Sequence, residues 1–175
     1  MGVAIFGQLD LDVGVLEILP MSVQEEFVFT RSGAIKVKSL KFAHDTVFST
    51  YIDNYLDTYY YLLNDEEIDK INYFLDAMKY EDYKTEYINE NMVDGFDYQF
   101  EFLDSKKRVY VYGIENQEIQ LLSDFSEYLR QIDKSKQKTF YGKSNVNFGN
   151  LEQFYPPEPE IDSVLLHQYN NLHSQ

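Results

Sequence analysis

The chain has no cysteine and no tryptophan, only four prolines and only three histidines. Without cysteine there can be no disulfide, no thiolate metal ligand and no thiol nucleophile. The same absence fits a reducing compartment. The histidines are His44, His167 and His173, and two of them fall in the last ten residues. His44 stands beside Asp45 just past a predicted strand, where a surface turn is the simpler expectation than acid/base work. No GxSxG, Walker A, GxGxxG or HExxH pattern occurs. With 30 acids, some carboxylate pair will fall about 5–10 Å apart in any fold, so a glycosidase-like pair carries no information. Asp94-Gly95-Phe96-Asp97 shares letters with a calcium loop but lacks its alternating aspartates and distal glutamate, and is expected to be a turn. No catalytic residue, metal ligand or cofactor is assigned.

Long apolar runs are missing as well. The first 20 residues are broken by Asp10, Asp12 and Glu17 and carry no Lys or Arg. They make a poor signal peptide and are too short and charged to span a membrane. Phe6 occupies the position where a myristoylation signal has Ser or Thr. The expected location is cytoplasmic.

What is abundant is aromatic and acidic. There are 16 Tyr and 13 Phe in 175 residues, the apolar fraction is 44%, and the formal charge is −15. Such a length and composition suit one domain with a real core. The charge is local. From Asp45 to Asp104 there are 16 acids against three lysines (Lys70, Lys79, Lys84), whereas the other 115 residues carry 14 acids and 12 bases. The same segment holds 10 of the 16 tyrosines.

The pattern along the chain predicts an α+β fold. Two short strands are expected near 3–6 and 13–18. A hairpin is expected over Glu25–Arg31 and Ala34–Phe42, turning at Ser32-Gly33, with apolar residues alternating with lysines to leave one wet face. Apolar pairs every four residues over Asp45–Leu63 predict a helix. Asn64 and Glu67 form a capping-box signature before a helix at about 65–79. Glu81–Val93 lacks a period and reads as a loop. Phe96–Leu103 and Arg108–Tyr112 predict a second hairpin, and Asn116 a cap for a helix at about 117–134. Thr139–Phe148 is a candidate edge strand. The prolines at 156, 157 and 159 mark an extended arm, and Ile161–Leu172 could form a short docking helix. The organisation expected is therefore one α+β domain over 1–148, with two antiparallel hairpins in a sheet packed on two or three helices, and a C-terminal extension over 149–175.

Tyrosines interleaved with unbalanced acids suit a recognition face: the rings supply buried contact and the acids steer a basic partner. The candidate partner-binding residues are Asp53, Asp57, Tyr59, Tyr60, Tyr80, Glu81, Asp82, Tyr83, Glu86, Tyr87 and Glu90. The leading expectation is an immunity-type or anti-effector inhibitor of a basic toxin, nuclease or nucleic-acid-binding enzyme, with no direct contact to nucleic acid or membrane. The alternatives are a DNA mimic whose carboxylates imitate phosphates, a carboxylate or metal-dependent enzyme, and a structural or assembly protein using the C-terminal arm.

Overall fold

The computed structural model describes residues 21–32, 36–51, 57–89, 91–92, 96–143 and 145–149. The strands expected before residue 20, the Asp94-Gly95 turn, the proline arm and the terminal helix lie outside these residues. The described residues form a mixed α+β fold: an open sheet of eight strands with two helices. The strands are β1 (Phe27–Ser32), β2 (Val37–Ala43), β3 (Thr46–Tyr51), β4 (Asp57–Leu62), β5 (Glu86–Ile88), β6 (Asp97–Phe102), β7 (Lys107–Tyr112) and β8 (Thr139–Lys143). The helices are α1 (Asp65–Met78), between β4 and β5, and α2 (Gln120–Ser135), between β7 and β8. The spatial order is β5-β7-β6-β1-β2-β3-β4-β8. Every neighbouring pair is antiparallel except β5 with β7, which run parallel.

Both helices start where the sequence places them. Asn64 accepts from the Glu67 amide and the Glu67 carboxylate accepts from the Asn64 amide, each at 2.9 Å, which satisfies two of the free donors at the start of α1. Asn116 caps the single 3-10 turn, Gln117–Ile119, that leads into α2. The second expected hairpin is β6–β7, in register from Asp97 opposite Tyr112 to Phe102 opposite Lys107.

Four expectations are corrected. The stretch Asp45–Leu63 holds no helix among its described residues: it forms β3 and β4, paired from Thr46 opposite Leu62 to Ser49 opposite Tyr59. The Glu81–Val93 loop contains a 3-10 turn at Tyr80–Asp82 and the strand β5. The two-hairpin layout gives way to a four-strand meander, a helix, three strands, a helix and a last strand. The wet face expected on β2 is also absent. Register places Lys38 with Leu40 and Phe42, opposite Arg31, Phe29 and Phe27, so Lys38 lies on the helix-covered side and is buried.

The core lies between that side and the helices. Phe27, Phe29, Leu40, Phe42, Val47, Phe100, Phe102, Val109 and Val111 meet Ile68, Ile71, Phe74 and Leu75 of α1 and Leu122, Phe125, Leu129 and Ile132 of α2. Phe125 is fully buried and contacts three rings from three other elements: Phe27 at 5.6 Å, Phe100 at 5.2 Å and Phe74 at 4.9 Å between centroids. The other side of the sheet holds buried Thr30 and Ser39, hydrogen-bonded to each other at 2.9 Å, together with Gln99, Asp97, Tyr110 and Tyr112. Gly149 approaches Glu101 on that side so closely that a Cβ would collide with the carboxylate, and its φ of +70° is strained for other residues. Replacing Phe125 with Ala removes a ring that four elements share and should cost about 3–5 kcal/mol. Urea denaturation measures this directly, with the midpoint falling at unchanged slope.

Candidate functional site

The structure divides the residues singled out from the sequence into two groups. Asp53 and Glu90 lie outside the described residues. Asp57, Tyr59 and Tyr60 sit on β4, next to the β8 edge. Tyr80, Glu81, Asp82, Tyr83, Glu86 and Tyr87 gather at the β5 edge. Six strand spacings separate β4 from β5, roughly 29 Å, so these groups do not form one patch.

At the β5 edge the tyrosines turn inward and the acids outward. Tyr80 stacks on the buried Phe102 at 3.9 Å, and Tyr87 is buried with its hydroxyl donating to Glu118 at 3.0 Å. Burial, reinforced by the Glu25 carboxylate, pushes the Tyr80 phenol up to about 12. Tyr83 is half-buried against the core, whereas Glu81, Asp82 and Glu86 are exposed, Glu86 pairing with Arg108 at 3.1 Å. The interleaving of acid and tyrosine reflects an element whose rings complete the core, with wet carboxylates between them.

The two groups are joined by α1, which is about 21 Å long. It carries five acids and one lysine. Asp65, Glu66, Asp69 and Asp76 are exposed, while Glu67 faces Lys136 at 2.6 Å. Among them Tyr73 is 58% exposed, with the Lys70 ammonium 4.6 Å from its ring centre. An exposed tyrosine on an acidic helix thus occurs at Tyr73, which was not among the candidates singled out from the sequence. The helical period could have found it, because Tyr73 lies off the Ile68, Ile71 and Leu75 stripe.

Two clefts carry further chemistry. One, of about 370 Å³, opens beside α2 at the end of β1 and is lined by Arg31, Asp97, Glu115, Asp124, Glu127 and Arg130 among others. Arg130 and Glu127 pair with each other. Asp97 is 4% exposed and accepts from the Tyr110 hydroxyl at 3.4 Å, while its Oδ1 has no hydrogen-bond partner among the described residues. Burial raises its pKa, opposed by Ser32 and Tyr110.

The second cleft, of about 280 Å³, lies past the C-terminal end of α2, lined by Lys38, Ser49, Tyr51, Asp57, Tyr59 and Lys138. Beside it Lys38 donates to Asp133 Oδ2 at 2.5 Å, and both residues are buried. Lys138 Nζ stands 3.2 Å from Asp133 Oδ1, near enough to pair but not aligned for a hydrogen bond, and donates to the Asp133 carbonyl at 2.5 Å. Burial lowers the Lys38 pKa, and Asp133 opposes that shift. The readable signal was Lys38 itself, a charge in register with Leu40 and Phe42.

Among the described residues no group of three or more His, Asp or Glu is placed to hold a metal ion, and no helix is long and apolar enough to cross a membrane. The chain matches no protein-family model, no curated protein and no solved structure.

Two outcomes follow. The Asp97 carboxyl holds its proton more tightly folded than unfolded, so its ionisation costs stability as pH rises through the raised value. Asp97→Asn should therefore raise the melting temperature near pH 7, with the gain shrinking as the pH falls through the raised value and the carboxyl regains its proton. Asp133→Ala strands the Lys38 ammonium and should cost about 3–5 kcal/mol. The double variant Lys38→Met/Asp133→Leu should recover most of that loss in denaturant titration.

Proposed function

We propose that this protein binds a basic protein partner and masks its working surface, in the manner of an immunity-type or anti-effector inhibitor. A basic toxin, a nuclease or a nucleic-acid-binding enzyme has the required surface. The observation that carries the reading is the outer face of α1, which presents the exposed Asp65, Glu66, Asp69 and Asp76 together with the exposed Tyr73. Glu81 and Asp82 extend the acidic surface from the helix end toward the β5 edge.

The physical roles divide cleanly. The acids raise the rate of encounter with a positive surface and exclude partners of like charge. Tyr73 supplies the contact area: two χ angles, a large apolar ring and a hydroxyl suit the centre of an interface. Lys70 already sits over that ring, so a partner arginine displacing it would find a cation-binding face formed in advance. The acids of α1 cover one helix of about 21 Å, a local patch, whereas phosphate mimicry calls for an extended row. Inhibition by a local patch is therefore preferred to DNA mimicry.

The test is association with a partner recovered from the native cell at low salt. Reversing Glu66, Asp69 and Asp76 together to Lys should weaken association on the order of 10- to 100-fold, chiefly through the on-rate, and flatten its salt dependence. Tyr73→Ala should raise the off-rate instead. Equal affinity for the wild type and the triple reversal would remove α1 from the interface. Displacement by duplex DNA alone, with Tyr73→Ala silent, would favour mimicry.

A further inference from the structure

The chain beside the cleft at the end of α2 is rich in lysine. Residues 134–143 carry four lysines and no acid, in a chain with a net charge of −15. Lys38 and Lys138 converge on the one carboxylate of Asp133, which can neutralise only one of them. Lys36 and Lys38 lie 5.9 and 5.5 Å from the centre of the Tyr51 ring. Asp57, an acid of the cleft wall, stands opposite Lys143 in the strand register. Among the described residues, Lys38 and Lys138 thus share the carboxylate of Asp133, while Asp57 has Lys143 across the strand pair.

A structural latch would need less than this. One ammonium balances one buried carboxylate, and a second, directed at the same group, leaves excess positive charge beside a cavity. Each ammonium has three N–H donors. Contacts among the described residues commit one hydrogen bond from Lys38 and one from Lys138. Lys38 is held by burial on strand β2, so its head is positioned without the loss of freedom that a surface lysine pays on binding. The remaining wall is aromatic: Tyr51 is 42% exposed beneath the Lys36 and Lys38 ammoniums, and Tyr59 is 36% exposed with Phe140 edge-on at 5.4 Å.

We infer that this cleft, lined by Lys38, Lys138, Tyr51 and Tyr59, is a binding site for a small aromatic phosphate. Ammonium groups bind phosphate as point charges, which suits two lysines approaching from β2 and from the α2–β8 connection. The exposed rings take the planar body of the ligand. The cavity volume of about 280 Å³ is just under the range usual for drug-sized ligands, so a single-ring phosphate fits and a dinucleotide does not. Asp57 works against the anion and sets an upper bound on affinity. The site lies past the C-terminal end of α2, away from the outer face of α1, and does not depend on the protein-binding reading.

The experiment titrates the full chain with phenyl phosphate, inorganic phosphate and phenol, reading amide and lysine side-chain NMR shifts. Phenyl phosphate should bind saturably and about tenfold more tightly than either fragment, with shifts centred on Tyr51, Tyr59 and Lys38. Lys138→Gln should weaken it on the order of tenfold, as loss of a charged donor predicts. Tyr51→Ala should remove the preference over inorganic phosphate, and Asp57→Asn should tighten binding. Melting temperatures close to that of the wild type establish that these surface variants remain folded. No saturable binding at millimolar phenyl phosphate, equal affinity for inorganic phosphate, or indifference to both Lys138→Gln and Tyr51→Ala would each overturn the assignment.

Discussion

Everything in this fold converges on the ring of Phe125. It lies parallel to Phe100 within 5°, is stacked on Phe74, and is tilted against Phe27. A single side chain of α2 thereby joins α1 to the two central strands β1 and β6. Phe27 in turn stacks on Phe42 at 4.6 Å and carries the array into β2. Stacked and tilted rings add to the area they bury a preference for particular mutual orientations. This array fixes how the helices sit on the sheet. It also fixes which segments lie beyond helical cover, among them the cleft past the end of α2.

The core leaves charge to be handled at its margins, and the two solutions differ. Along α1 the acids stay in water, where a carboxylate costs little and acts over distance. At the end of α2 the charges are taken inside. Asp133 is 2% exposed and Lys38 8%. Desolvating such a pair is costly unless both partners are present, so the arrangement makes β2, α2 and the approach to β8 depend on one carboxylate. The acidic face carries the proposed docking surface and the lysine-rich end the proposed anion site.

Legibility in the sequence followed how one-sided each element is. The start of α1 was readable because Asn64 and Glu67 act within four residues, and β6 because Tyr98, Phe100 and Phe102 alternate with Asp97, Gln99 and Glu101. β3 and β4 were not. Their apolar pairs, Val47/Phe48 and Tyr59/Tyr60 among them, imitate a helical stripe because both faces of these strands pack against something. Val47 and Tyr61 belong to the core, while Phe48 and Tyr60 pack with Tyr141 of β8 on the opposite side. A strand covered on both sides loses its period of two, and only a partner distant in sequence reveals it. The orientation of the candidate site's rings was hidden in the same manner. Tyr80 and Tyr87 read as contact residues because nothing local shows that Phe102 and the core wait behind them. Tyr73 was legible in principle from its place off the apolar stripe. The pairing of Lys38 with Asp133, 95 positions apart, was not.

The salt bridge between Glu67 and Lys136 sets the first turn of α1 beside the end of α2. At the other end, Met78 and Glu118 line one small cavity, so the end of α1 meets the beginning of α2. The two helices therefore run antiparallel side by side, and their dipoles largely cancel at a distance. An approaching molecule feels almost nothing of the peptide backbone. Its view from afar is drawn by side chains, and the exposed acids of α1 can be changed to rewrite that field while the Asn64–Glu67 cap stays in place.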